Sequence, residues 1–271
     1  MEGIVASQVC TALPDAASLQ SSAIASLQSS VLASLQSPTI EPGSGDLKVK
    51  PSKVVDLRPE LLSYHLLRPR EAGLADVALI GEAYRCWREV WSETLLQLDG
   101  ETDVPSDEFT RQDEVGAIFY GYECVALSCF RYIDLASPMH NADSYFRIWP
   151  ESARAAAARE GTRVCIGSQI TVAANWRRVR GCSLRHLVTA LTLERFIASD
   201  KAAILGTMRD DRGMDKLSEG LGTRPLGHAR LHGVPVTLCA FFRSSTRPVL
   251  SERQEGIVRR LAAGIPTGDQ R

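Results

Sequence analysis

The sequence lacks the patterns that mark several large classes of protein. None of its apolar runs reaches the roughly 18 residues that a membrane-spanning helix needs, so we predict no membrane span. A formal net charge of −1 gives no bulk attraction for nucleic acid, and no nucleic-acid-binding motif accompanies the arginines. The seven cysteines include no CxxC pair and no Cys/His group at zinc spacing, so we predict no metal site.

The cysteines and the amino terminus indicate a reducing compartment. Cys124, Cys129, Cys165 and Cys239 lie within apolar, strand-like runs, where a free cysteine behaves as a small buried hydrophobe. No histidine has a visible relation to any of them, so a catalytic thiol is not indicated. The first residues carry Glu2 and no basic segment, unlike a secretory signal. We expect a cytoplasmic protein.

The first part of the chain is of low complexity. The segments ASLQSSAI, ASLQSSVL and ASLQSPTI repeat with a period of eight between Ala17 and Ile40, and no charge occurs between Asp15 and Glu41. Three such units are too few for a solenoid. We predict a disordered leader and linker over 1–53, a folded domain over 54–265 and a tail over 266–271. The leader is either a transiently helical spacer or a docking segment.

The rest of the chain alternates between strand-like and helix-like patterns, which predicts an α/β domain. Strands are expected in LLSYHLLRP, in a hairpin over 114–135 that turns at Gly121, over 163–173, in KAAILGTM, and as one final strand in LHGVPVTLCAFFR. Helices are expected over 75–98, 151–160, 184–198, 210–222 and 251–263.

The segment SQITVAANWRRVRGCSLRHLV, residues 168–188, has the pattern of a phosphate site. Strand-like alternation at Ile170 and Val172 leads into a turn with three arginines, and helix-spaced apolar residues begin at Leu184. The free N–H groups at a helix start bind anions, and the helix dipole adds roughly +0.5 charge there. Neither a Walker lysine nor GxGxxG is present, so an ordinary strand-to-helix connection with solvated arginines remains an alternative.

Charge is unevenly distributed along the domain. Residues 147–230 carry 15 Lys or Arg against 8 Asp or Glu, and this half contains the basic turn. Such an excess suits an anionic cofactor or an acidic carrier protein, although a solvated basic face would have the same composition.

The turn RVRGCS, Arg178 to Ser183, resembles the Arg/Gln-x-x-Gly-x-Gly/Ala turn of the GNAT acyltransferases. DDRGMDKLSEGLGTRPL is similar to a second signature of that superfamily, with Thr223 where an aromatic residue is usual. The resemblance covers residues 61–243. In YRCWREVW, DVPSDEFTRQDE and SCFRY, the first half looks most like acyl-homoserine-lactone synthases and long-chain N-acyl amino acid synthases.

This resemblance implies one GNAT-like domain, a central mixed β-sheet flanked by helices, with no permanently bound cofactor. It implies N-acyl transfer from an acyl-CoA or acyl-carrier-protein thioester to a small-molecule amine or an amino acid. The backbone of Val172 and Ala173 would pair with the pantetheine arm of the donor. The phosphate turn would consist of Arg178, Val179, Arg180, Gly181, Cys182 and Ser183, although Gly181 is equally explained as a plain turn glycine.

The resemblance also assigns roles on the amine side. Asp107, Glu108 and Arg131 would shape the amino-substrate site, and Asp107, Glu108 and Gln169 are the candidate catalytic positions. Gln169 lies in the region where many relatives carry a glutamate base, but an amide cannot accept the amine proton.

Other residues have two interpretations. Trp87 and Trp91, four apart on one helical face, either line the acyl site or belong to the core. Glu123 and His186 are further candidates for the base. No tyrosine follows Tyr145, so the usual acid is missing as well. The chain is therefore expected to be an enzyme that uses a water chain, or a GNAT-like module without turnover that binds an acyl thioester or a protein partner.

Overall fold

A computed structural model describes residues 55–71, 73, 76–101, 103–245 and 250–267. The predicted leader over 1–53, with its eight-residue repeat, lies outside the described residues, as does the end of the predicted tail.

Seven of the nine described strands form one mixed sheet in the order β2-β3-β4-β5-β7-β9-β8. The strands are β1 (Val55–Asp56), β2 (Leu62–Leu67), β3 (Glu114–Tyr120), β4 (Glu123–Asp134), β5 (Arg163–Val172), β6 (Val179–Arg180), β7 (Ala203–Arg209), β8 (Arg224–Leu231) and β9 (Val234–Phe242). Neighbouring strands are antiparallel except β5 and β7, which are parallel. Strands β1 and β6 pair separately, in parallel.

Helices cover both faces of the sheet. They are α1 (Val77–Asp99), α2 (Asp107–Thr110), α3 (Pro138–Asn141), α4 (Glu151–Ala157), α5 (Leu184–Ala198), α6 (Met214–Gly220) and α7 (Glu252–Ala262). Ala117 and Phe119 pack in the apolar cluster that contains Trp87 of α1, while the intervening Ile118 packs in the cluster of α5 and α7. This alternation places the two long helices on opposite faces, because successive strand side chains point to opposite sides.

The predicted α/β architecture is confirmed, with one correction. LHGVPVTLCAFFR is not a single strand, because His232 and Gly233, at φ 51° and 73°, form a two-residue turn between β8 and β9. The sequence of the segment over 224–231 does not indicate a strand, because it contains Pro225 and Gly227. The segment pairs nevertheless, because it lies at the edge of the sheet with a register shift between those two residues.

The described residues hold no cluster of three or more His, Cys, Asp or Glu side chains suited to a metal ion. Within the same part of the chain, every helix is too short or too polar to span a membrane.

Candidate functional site

A cleft opens in the sheet where β5 and β7 diverge. Over the described residues these parallel strands pair from Val164–Ala203 to Ile166–Leu205 and no further, although both continue. The space between them is a cavity of about 520 Å³. It is lined by the second half of β5, the end of β7, one face of α1, and the start of α5. From Gly167 onward, the side of β5 that faces β7 has no strand partner in the described structure.

A bulge shapes the β5 wall of this cleft. Leu127 of β4 pairs with Thr171 and Cys129 pairs with Ser168, so the two residues Gln169 and Ile170 face one residue of β4. Gln169 has a φ of 53°, a left-handed backbone that is uncommon outside glycine. The Thr171 hydroxyl donates a hydrogen bond to the Gln169 carbonyl at 2.7 Å, which holds the bulge from within.

The side chain of Gln169 joins two of the predicted site residues. Its Oε1 accepts a hydrogen bond from the indole Nε1 of Trp87 at 2.8 Å, and its Nε2 donates to Glu108 Oε2 at 3.3 Å. The same Glu108 oxygen accepts from Arg111 at 2.6 Å. Asp107, one residue earlier, is exposed at the start of α2. The structure therefore brings Glu108 and Gln169 together and leaves Asp107 apart.

The two tryptophans of α1 differ in position. Trp87 is fully buried among aromatic rings, 5.4 Å from the ring centre of Phe109. Trp91 lines the cleft and donates its indole N–H to the Thr171 hydroxyl at 3.0 Å. Of the pair, Trp91 is the one that a ligand in the cleft would touch.

Of the eight predicted pantetheine and phosphate positions, Val172 and Ser183 line the cleft and the other six do not. Val172 lines it directly, whereas the N–H of Ala173 donates to the carbonyl of Val125 at 3.0 Å. Val179 and Arg180 form β6, paired with β1. Cys182 is buried beneath the turn.

Gly181 and Ser183 complete the turn that precedes α5. Gly181 adopts φ 79°, and a Cβ there would lie 2.8 Å from a guanidinium nitrogen of Arg253. The structure thus gives two reasons for glycine, a left-handed backbone and this close approach. Ser183 lines the cleft and caps α5, its hydroxyl accepting from the N–H of His186 at 3.4 Å. The remaining N–H groups of that first turn have no acceptor within the helix.

The cleft is electropositive. Among the described residues that line it, four are arginines (Arg177, Arg185, Arg209 and Arg212) and one, Glu93, is a carboxylate. Arg177 pairs with Glu93 at 3.2 Å and Arg209 pairs with Asp211 at 2.6 Å. Arg185 donates to a neutral carbonyl, that of Arg212, at 3.1 Å, and pairs with no carboxylate among the described residues. Such a wall attracts an anionic ligand.

The other predicted residues lie away from the cleft. Arg131 of β4 is largely buried in an ion pair with Asp143 at 2.7 Å. Glu123 accepts the indole N–H of Trp176 at 2.8 Å. Burial lowers the pKa of His186, with a smaller contribution from Arg185. None of these three residues lines the cavity.

Sequence reasoning missed several charged residues. Arg185, Arg209 and Arg212 were not singled out, because they come from separate segments that only the fold brings together. Arg195, with its side chain 2% exposed, forms an ion pair with Glu114 at 2.7 Å inside the domain. A signal for Arg195 was present, since it lies four residues after Leu191 on the apolar stripe of its helix.

The strand order, the single parallel pair among the described strands, and the cleft at its divergence define a GNAT-like α/β domain. No family model matches the chain, and no curated protein matches it.

Several solved structures are similar to it in fold. A CoA-dependent acyl-homoserine lactone synthase, BjaI, is 15% identical, with 77% of this chain and 93% of that chain covered and a TM-score of 0.46. FeeM, an N-acyl amino acid synthase from uncultured soil microbes, is 11% identical over 67% and 90%, with a TM-score of 0.43. A mosquito arylalkylamine N-acetyltransferase-like protein is 12% identical over 66% and 100%, with a TM-score of 0.47. At these identities and scores, none of the likenesses assigns an activity to this chain.

Proposed function

We propose that this protein is an N-acyltransferase that moves an acyl group from an acyl-CoA or acyl-carrier-protein thioester to the amine of a small molecule or amino acid. One observation carries the proposal: the edge of β5 between Gly167 and Val172, which has no strand partner among the described residues, runs through an electropositive cleft to the start of α5. An extended ligand with amide groups can pair with such an edge as an added strand would. A phosphate at its end then reaches the helix start.

The chemistry follows from this placement. The amine nitrogen attacks the thioester carbonyl, a C–N bond forms, the C–S bond breaks, and the thiol leaves with a proton. Holding donor and acceptor in one cleft supplies most of the rate, because it replaces a bimolecular encounter. Donors on the cleft wall that stabilise the developing oxyanion supply a further part.

Removal of the amine proton is the step for which the described residues offer the least suitable group. Gln169 cannot accept it, and Glu108 is held by Arg111 on the far side of Gln169. Glu93 is the carboxylate that lines the cleft in the described structure, and it is paired with Arg177. We therefore propose that water in the open cleft carries the proton, with Glu93 as the residue to test as acceptor, and we expect slow turnover.

The test uses the full chain with CoA and carrier-protein thioesters of several acyl lengths and a broad amine panel. Free thiol and the N-acylated product are both measured. Gln97→Trp fills the cleft from α1, and the neighbouring Leu96→Trp, on an exposed position outside the cleft, is the matched control. We expect turnover to fall in the first variant and not in the second. Absence of thiol release from every thioester would overturn the proposal.

A second function is favoured by the arrangement around Gln169. Its amide is bonded on both sides, to Trp87 and to Glu108, as expected of a structural residue rather than a catalytic one. The alternative is a non-catalytic module that binds an acyl thioester or engages a protein partner through residues 1–45. Acyl-CoA binding without any turnover, or partner binding lost on removal of 1–45, would support it.

The cysteines and the net charge bear on the cellular compartment of the protein and on nucleic acid as a partner. We propose a cytoplasmic protein that binds no nucleic acid, on the basis of its six described free cysteines and near-neutral charge. Fractionation of cells that express the full chain, with a secreted and a membrane-bound marker, tests the location.

A further inference from the structure

Three arginines that form no ion pair within the described residues lie at or beside the turn before α5. Arg178 and Arg180 are exposed on the turn, and Arg253 reaches it from α7, an element more than 70 residues later in the sequence. Among the described residues, none of the three forms an ion pair or a side-chain hydrogen bond. The arginines of the cleft, in contrast, are partly neutralised, as in the pair of Arg177 with Glu93.

The packing of α7 determines where Arg253 lies. Ile257, Val258 and Leu261 are buried in the cluster that α7 shares with α5. Arg260 donates a hydrogen bond to the carbonyl of Leu62 at 3.0 Å, which ties the helix to β2. These contacts hold the first turn of α7, and with it Arg253, against the phosphate turn.

The guanidinium of Arg253 is in contact distance of the backbone of Gly181. Its Nη1, Nη2 and central carbon lie 2.8, 3.0 and 3.1 Å from the position that a Cβ of Gly181 would occupy. The absent side chain of Gly181 therefore leaves the space that the guanidinium fills. Ser183, two residues further on, lines the cleft, so Arg253 lies close to the edge of the cleft at the start of α5.

The acidic residues placed near this cluster form no ion pair with it in the described part of the chain. Asp56 lies opposite Arg180 in the register of β1 and β6 but forms no ion pair with it in the described structure. Glu255 of α7 pairs with Arg259 at 2.7 Å, on the exposed side of the helix. Glu252 is exposed at the first position of α7.

We infer that Arg253 is an additional phosphate-binding residue of the donor site, supplied by the carboxyl-terminal helix, and that it acts with Arg178 and Arg180 on the phosphates of a CoA-type donor. This inference rests on the proposed function. A guanidinium presents paired N–H donors that match phosphate oxygens, and such charge-assisted bonds are about twice as strong as neutral ones. The site is therefore built from two distant segments of the chain.

The experiment measures binding of CoA to the full chain by calorimetry, with Arg253→Ala, Arg253→Lys and Arg259→Ala compared. Arg259 lies on the same helix, is also exposed, and is already paired with Glu255, so its variant is the matched control. We expect Arg253→Ala to raise the dissociation constant about tenfold. Arg253→Lys recovers part of the loss because it keeps the charge, and Arg259→Ala leaves affinity unchanged.

A second readout separates phosphate binding from a structural role. Turnover of an acyl-N-acetylcysteamine thioester, which has no phosphate, is expected to be the same in Arg253→Ala and in the native chain. Equal CoA affinity in Arg253→Ala and Arg259→Ala overturns the inference while the proposed function stands. If Arg253→Ala loses turnover equally with an acyl-CoA and with the phosphate-free thioester, the inference is also overturned, since the residue then acts on the fold. No binding of CoA and no turnover by the native chain would overturn the proposed function itself.

Discussion

The indole N–H of Trp87 lies 2.8 Å from Oε1 of Gln169, and this bond links the buried face of α1 to the bulge in β5. The amide nitrogen Nε2 of the same side chain donates a hydrogen bond to Glu108 Oε2 at 3.3 Å. Gln169 therefore belongs to a network in which a donor and an acceptor are both required. This network explains how an amide is accommodated at position 169 of β5.

Replacing Gln169 by glutamate is expected to destabilise the protein rather than activate it. The new carboxylate would face Glu108 Oε2, the acceptor of the present 3.3 Å bond, and the like charge would raise its folded-state pKa. A raised pKa in the folded state means that stability is lost as pH rises through it. We expect a cost of about 1–2 kcal/mol at pH 7.5 and a smaller cost at pH 5, from urea unfolding.

Gln254→Glu is the control for that variant. Gln254 Oε1 accepts from the N–H and the hydroxyl of Ser251 in the capping box of α7, and a carboxylate there keeps both bonds at the positive end of the helix dipole. Its stability should be unchanged or slightly higher at pH 7.5. A Gln169→Glu protein as stable as the native chain at both pH values would refute the network argument.

The buried pair of Glu114 and Arg195 is expected to make a large contribution to stability. Burial raises the pKa of Glu114, but hydrogen bonds from Arg195 and Tyr132 outweigh burial and hold that pKa below its usual range. Glu114→Gln should cost about 3 kcal/mol at pH 7, because Arg195 is then left buried without a counter-charge.

The pH dependence of that cost follows from the sign of the shift. A carboxylate whose folded pKa is depressed stabilises the fold above its unfolded pKa, about 4.3 for Glu, and this contribution is lost as pH falls through the folded value. The difference between the native chain and Glu114→Gln should thus shrink below about pH 4. Arg259→Ala, which breaks an exposed pair, should cost at most about 1 kcal/mol.

Gly181→Ala tests the close approach of Arg253 to the turn Arg178 to Ser183. The left-handed backbone at φ 79° costs an alanine about 1–2 kcal/mol, and the new Cβ would also displace the guanidinium. In an Arg253→Ala background the displacement is absent, so the same substitution should cost less. Gly256→Ala, inside α7 with nothing within 4 Å of the new Cβ, should instead stabilise by about 0.5–1 kcal/mol. Equal costs of Gly181→Ala in both backgrounds would contradict the contact.

The cysteines are expected to react slowly with thiol reagents in the native protein. All six described cysteines are buried, and burial is the main cause that raises the pKa of Cys239 to about 11. A Cys10→Ser variant removes the one thiol outside the described residues. Cys182, the most exposed of the six at 8%, should be labelled first, and bound CoA should slow its labelling. Rapid reaction of several thiols in the folded variant would contradict this burial.

Most secondary-structure elements and the general place of the site follow from local patterns in the amino-acid sequence. Alternating apolar residues in 114–135 predict the hairpin, and helix-spaced apolar residues predict α1 and α5, because these periods match the two backbone geometries. The turn Arg178 to Ser183 stands out through its glycine, its arginines and the helix start, which are local features. Strand β8 was missed because edge strands tolerate the proline and glycine that normally argue against a strand.

The surroundings of that turn depend on contacts between segments that are distant in the sequence. The cleft exists because two parallel strands pair over three residues each and then diverge, and no local pattern encodes a divergence between strands that are distant in sequence. Arg185, Arg209 and Arg212 line one cleft because the fold brings together segments that are separate in the sequence. Arg253 reaches Gly181 because α7 packs on α5 through its own apolar face, so the partner of a turn glycine comes from a helix that begins at residue 252.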